Sequence, residues 1–346
     1  MFRRIPPAIC LLLLLMISPA RGEISIDLVT VGDIGNAGEL SRDRVVGSVD
    51  YVYRIGRFEI TNSQYVTFLN SVAATDTYGL YEGVDFNFAA AAAIRRTGTE
   101  GSYQYSLTDE QWRNRPVANT NLWQAMRFAN WLHNGQPTGE QNATTTEDGS
   151  YTLGGYTGSD DLLLQRRNPH ATWVIPTENE WYKAAYYDAK TESYFDYPTG
   201  SDQVPSNRLV EPDPGNHVNA EASGMTIGAP YFVTEVGEFE NSASPYGTFD
   251  QGGNLWEWTE TIVESSPGVF ERIARGGSYG NDDCDITCLL ASVYLDERPG
   301  DHEFNDGTPG FRVAYVPEPS SVHMLWLAAV TVAWGLRSSP RVRAGY

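Results

Sequence analysis

The chain has 346 residues and a formal charge of −20, from 44 acidic and 24 basic side chains. That length suits one large domain with a real core, or two small ones, and the acidic balance excludes nucleic acid and anionic lipid as natural partners. Charged residues make up only 20% while Gly (33), Tyr (20) and Trp (9) are frequent, a mixture that predicts a loop-rich fold whose irregular backbone is held by aromatic side chains.

In chain order, the first element is a processing signal. Arg3 and Arg4 precede the apolar run Ala8–Ile17, and the small residues of Ser18–Gly22 offer a cleavage site. This is the three-part pattern of a secretory signal peptide, predicted over residues 1–22 and too short to span a membrane comfortably. Residues 23–316 follow as the domain, with no flexible linker and no fixed-period repeat; the alanines at 89–93 are its only low-complexity run and predict a loop or short helix.

Three helices are legible. In Glu59–Ala73, Thr61 or Asn62 serves as cap, and Tyr65, Phe68, Leu69 and Val72 recur at helical spacing. In Thr120–Gly135, the residues Leu122, Ala125, Met126, Ala129 and Leu132 form one stripe and Gly135 ends it. In Ile175–Tyr187, Thr177 and Glu180 have capping-box spacing, with Trp181, Ala184 and Ala185 as the buried face. Strand-like segments surround them: YVYRIGRFEI, ATWVI, RIARGG and GFRVAYV. The Glu-Asp-Gly at 147–149 reads as a hairpin turn, and Asn142-Ala-Thr as a glycosylation sequon if the host uses it. The five histidines show no metal-ligand spacing, and P-loop and Gly-x-Gly-x-x-Gly motifs are missing.

Cys284 and Cys288 are the only cysteines outside the leader. Beyond the cytosol a disulfide between them can persist. Two buried thiols, or a reactive or metal-binding pair, are the other readings, although Asp282, Asp283 and Asp285 would raise thiol pKa values by like-charge repulsion.

The chain ends in VPEPSSVHMLWLAAVTVAWGLRSSPRVRAGY: a stiff Pro-Glu-Pro at 317–319, an apolar stretch Met324–Leu336, then Arg337, Arg341 and Arg343. The arginines hold such a tail on the cytoplasmic side with the domain outside. This order resembles the PEP-CTERM sorting signal of Gram-negative bacteria. The resemblance implies residues 317–346 as a sorting segment with a transmembrane helix, an exosortase as partner, transient inner-membrane anchoring and delivery to the cell envelope or beyond; an ordinary membrane anchor is the alternative. Six basic residues lie in the two end segments, so the domain between them is more acidic still.

Six segments of the domain, in order, are RFEITNSQYVTFLN, RPVANTNLWQAMRFANWL, WVIPTENEWYKAAYYD, DQGGNLWEWTE, RIARGGSY and GFRVA. They resemble the landmarks of the formylglycine-generating enzyme family, the sulfatase-modifying factors, across roughly residues 51–315. The resemblance implies an α+β, loop-rich, large C-type-lectin-like fold. It also implies a possible oxidase that uses copper and oxygen to convert a sulfatase cysteine to formylglycine.

The family's catalytic pair is Cys-x4-Cys, its first member two residues beyond the aromatic of Gly-Gly-Ser-Tyr/Trp. Those positions here are Asn281 and Ile286, which cannot supply the two soft thiolates that copper(I) prefers. Cys284 and Cys288 stand nearby at a different spacing. Ser278 and Trp256 match residues that line the enzyme's cleft, Trp256 being equally readable as core, and Thr308 replaces an Asn before Gly-Phe-Arg.

The resemblance also implies calcium, held by the carboxylates of Asp250 and Glu257 and the carbonyls of Gly253 and Leu255, a donor set of hard oxygens on a flexible turn. A first calcium site aligns at Asn216 and His217 but meets Gly228 and Pro230 where carboxylates are needed. The expectation is an exported, calcium-stabilised surface or matrix module with an unknown extracellular ligand. Its alternative is a copper-dependent oxidase acting on the cysteine of exported sulfatases or another peptide. Carbohydrate binding is compatible with the acidic surface and nine tryptophans, without being required.

Overall fold

A computed structural model describes residues 23–81, 93–155, 164–280, 295–297 and 309–316. Its strands are β1 (Leu28–Val31), β2 (Glu39–Ser41), β3 (Arg44–Val46), β4 (Tyr53–Gly56), β5 (Ile94–Thr97), β6 (Gln104–Leu107), β7 (Trp173–Val174), β8 (Tyr187–Asp188), β9 (Ser193–Tyr194), β10 (Glu257–Ser266), β11 (Val269–Arg275), β12 (Leu295–Glu297) and β13 (Ala314–Tyr315). Its α-helices are α1 (Asn62–Val72), α2 (Leu122–His133) and α3 (Glu178–Tyr186).

The central sheet runs β1-β4-β13-β7, antiparallel throughout, with Leu28 opposite Gly56 and Ala314 between Ile55 and Val174. The last described strand is therefore clamped inside the sheet, and the two ends of the domain are tied together. A second sheet, β10-β11-β12, carries irregular register between Trp258 and Ile262. The remaining strands form two-stranded ribbons. Between them lie turns, loops and one 3-10 turn at Glu110–Trp112, as the glycine and aromatic content predicts; the architecture is the α+β, loop-rich, large C-type-lectin-like fold that the resemblance implies.

Each helix starts as its sequence dictates. Thr61, Asn121 and Thr177 cap α1, α2 and α3 with complete capping boxes, closed by Gln64, Gln124 and Glu180. Asn62, the alternative cap of α1, instead turns inward and donates to the carbonyls of Trp112, Arg115 and Pro116. Tyr65, Phe68, Phe128 and Phe311 form a cluster of edge-on and stacked rings at the centre of the main core.

Two expectations change. The α2 stripe is buried, but so is every residue from Leu122 to Leu132, because its polar members find partners. Arg127 pairs with Glu147, and Asn130 bonds the carbonyls of Thr146 and Tyr151. The Glu-Asp-Gly at 147–149 is consequently no hairpin turn: no strand flanks it, and Glu147 is drawn inward by Arg127.

Among the described residues no helix is long and apolar enough to cross a membrane. The signal segment, the alanines at 89–92, Cys284, Cys288, Asn281, Ile286, Thr308 and the tail from Pro317 lie outside the described residues.

Candidate functional site

The two landmarks around DQGGNLWEW and RGGSY meet face to face. The Gly253 amide donates to the Gly276 carbonyl at 2.8 Å, and the Tyr279 amide to the Asn254 carbonyl at 3.0 Å. Asp250, Gly253 and Asn254 all adopt left-handed backbone, a conformation that costs a non-glycine residue and marks a locally over-determined turn. Asn254 secures it. Its amide oxygen accepts from Asn219 Nδ2 and from the Thr234 amide, and its Nδ2 donates to Glu59 Oε2.

Glu257 emerges from this turn into β10 and is fully buried. Arg312 Nε and Nη2 reach its two carboxylate oxygens at 2.6 Å each, and Trp181 Nε1 donates to Oε2 at 2.9 Å. Arg312 also donates to the carbonyls of Gly56 and Phe249, tying β4 to the turn. Burial works against the Arg312 charge, but Glu257, with Glu59 and Asp250 close by, more than restores it.

Three carboxylates thus share one guanidinium. Burial pushes the Asp250 carboxyl up to about 6 despite the amide of Gly237, which donates to its Oδ2 at 2.6 Å. Burial also raises Glu59 well above the usual carboxylate range, with Asp250 and Glu257 adding to the effect.

This arrangement bears directly on calcium. Both oxygens of Glu257 accept from Arg312, so a cation there would compete with the guanidinium for them. Among the described residues, no group of three or more His, Cys, Asp or Glu side chains is placed to hold a metal ion. The charge that balances Glu257 in this structure comes from Arg312. At the other aligned position, His217 lies 3.2 Å from Asp213, whose carboxyl also accepts from Ser242 and from the amides of Gly215 and Asn241.

The two cleft candidates are both interior. Trp256 and Ser278 are 1% and 0% exposed. The Ser278 hydroxyl donates to the Gly280 carbonyl, and the indole N–H of Trp256 meets no acceptor among the described residues. Trp256 is part of the main core.

Sequence reasoning missed the partners. Arg275, the arginine of RGGSY, is buried against Glu178 of α3 and donates to Ser41 of β2; Arg44 binds the other side of Glu178. Arg167 bridges Glu180 and Glu260. The signal in sequence was the arginine inside RIARGGSY and GFRVA: a charged residue in an otherwise apolar or glycine-rich motif needs a buried partner.

The profile of the sulfatase-modifying factor enzyme 1-like domain matches residues 40–315. Hercynine oxygenase of Mycobacterium tuberculosis is 32% identical over 121 residues, which cover 32% of this chain and 25% of that protein. The chain therefore matches about a quarter of the length of that curated relative. Among solved structures, Treponema denticola variable protein 1 superposes with a TM-score of 0.51 at 18% identity, covering 86% of this chain and 97% of that one. A crystal structure of CarF gives 0.48 at 20% identity, covering 84% and 98%.

Proposed function

The chain belongs to the sulfatase-modifying factor enzyme 1-like domain family, and from that premise we propose that it is a binding module of the cell envelope or extracellular matrix rather than an oxidase. The observation that carries this reading is the identity of the residues at the family's thiol positions, Asn281 and Ile286. Neither can act as a nucleophile or a soft metal ligand. The burial of Ser278 supports it, since its hydroxyl is spent on the Gly280 carbonyl. Export by the leader and sorting by the tail, through an exosortase, complete the proposal.

The second reading is a copper-dependent oxidase using Cys284 and Cys288 in a rearranged register on a peptide substrate. The similarity to hercynine oxygenase, itself an oxidative enzyme by name, favours keeping it. The full-length chain, loaded with copper(I), is incubated aerobically with a Cys-x-Pro-x-Arg peptide and the product weighed by mass spectrometry. An unchanged peptide is expected. A formylglycine product that disappears in Cys284→Ser would overturn the binding-module reading.

A further inference from the structure

A groove of about 580 Å³ opens between the end of α1, the β5–β6 hairpin and residues 138–140, within the size range of small-molecule sites. We propose that it binds a neutral oligosaccharide. The assignment goes beyond the binding-module reading and stands apart from it: none of the groove's residues belongs to the turn at 249–258, to RGGSY or to the cysteine segment.

The walls are tied to each other. The Tyr103 amide donates to the Ala74 carbonyl at 3.0 Å, joining hairpin to helix end. The Gly139 amide donates to the Ser71 carbonyl at 3.0 Å, joining the third wall. Asn70 both donates to the Tyr105 carbonyl and accepts from its amide. A groove fixed in this way has little ordering cost left to meet when a ligand enters.

The polar groups divide into spent and unspent. Asn70 and Ser71 turn their side chains back to the protein, Ser71 donating to the Thr67 carbonyl. Gln104, Thr138 and Glu140 line the same groove, and their side chains make no hydrogen bond among the described residues. Together they offer a carboxylate acceptor, a hydroxyl, and an amide that donates and accepts. Vicinal hydroxyls, which also donate and accept, complement that set. A wholly apolar ligand would leave it desolvated and unpaired.

Tyr103, one of the lining residues, is half-buried against the main core. Arg96 covers one face of its ring at 4.3 Å and is itself paired with Asp76 at 3.2 Å. No Lys, Arg or His lines the groove, one wall carries Glu140, and the whole chain is acidic at −20. Anionic sugars are therefore disfavoured.

The test is calorimetric titration of the full-length chain with maltotriose, cellotriose and chitotriose, and with trigalacturonic acid as the anionic control. One of the neutral trisaccharides is expected to bind with a Kd of about 1 mM or tighter, and the anionic one about tenfold more weakly. Thr138→Ala/Glu140→Ala should lose about tenfold in affinity without a change in melting temperature, because both side chains are exposed. The proposal is overturned if none of the neutral trisaccharides binds, if trigalacturonic acid binds as tightly, or if the double variant binds as well as the parent. These outcomes are independent of the copper assay, so each reading can fail alone.

Discussion

Arg312 holds Glu257 by two hydrogen bonds of 2.6 Å, and both side chains are completely removed from solvent. Their partnership joins the Gly-Phe-Arg landmark to the Trp-Glu-Trp landmark across 55 residues of sequence. Replacing only one member leaves a buried charge uncompensated, which costs about 3–5 kcal/mol, whereas replacing both by neutral groups costs much less. In urea titrations, Arg312→Met should therefore lose about 3–5 kcal/mol, and adding Glu257→Gln should recover part of the loss. A single variant within about 1 kcal/mol of the parent would show that the pair does not hold these landmarks together.

A half-buried arginine gives a prediction about pH. Arg167 meets both oxygens of Glu180, at 3.0 and 2.8 Å, and one of Glu260 at 2.6 Å. Burial alone would raise Glu180, but Arg167, aided by the Tyr51 hydroxyl, holds it below the usual carboxylate range. Glu260 stays above that range because burial outweighs the same guanidinium. The stabilisation from Glu180 is present above the unfolded carboxylate pKa of about 4.3 and is lost as pH falls through its lowered folded value.

In Arg167→Met both carboxyls lose their counter-ion, and both folded values move up. The folded state then binds more protons than the unfolded state above about pH 4.3, so stability rises as pH falls toward that value. The variant's deficit should accordingly shrink between about pH 7 and pH 5. A deficit that is constant or grows on acidification would refute the shared role of Arg167.

How much of this was legible in the sequence depends on the range of the interaction. The helices were legible because caps and stripes are local: Thr61 finds Gln64, and Thr177 finds Glu180, three residues away. The strands were less so, since most are two to four residues long and carry too few positions to show alternation. Glu257 was visible as a carboxylate beside glycines, which reads as a cation ligand. The guanidinium it pairs with, Arg312, lies in another landmark, and nothing local names it. The same holds for Arg275 and Glu178, 97 residues apart.

That distinction makes calcium testable. If Arg312 supplies the positive charge at Glu257, excess chelator should leave the melting temperature of the full-length chain unchanged within about 1 °C of its value with millimolar calcium. A drop of several degrees on chelation, abolished in Glu257→Ala, would instead mean that a cation takes Glu257 from Arg312.

The last prediction separates backbone strain from collision. Gly253 and Gly135 both sit at left-handed φ, 85° and 79°. A Cβ on Gly135 would meet nothing within 4 Å, so Gly135→Ala carries only the conformational penalty, about 1 kcal/mol. A Cβ on Gly253 would stand 2.2 Å from the Asn219 carbonyl oxygen and 2.8 Å from its carbon. Those are backbone atoms, and Asn219 is further fixed because its carbonyl accepts from the Asn254 amide and its side chain bonds Asn254 and Phe232. The chain cannot yield there without opening the turn. Gly253→Ala should cost well over about 2 kcal/mol and at least twice the loss in Gly135→Ala, read from urea midpoints at constant slope. Equal losses in the two variants would mean that the close approach of Gly253 to Asn219 is not what requires glycine in this landmark.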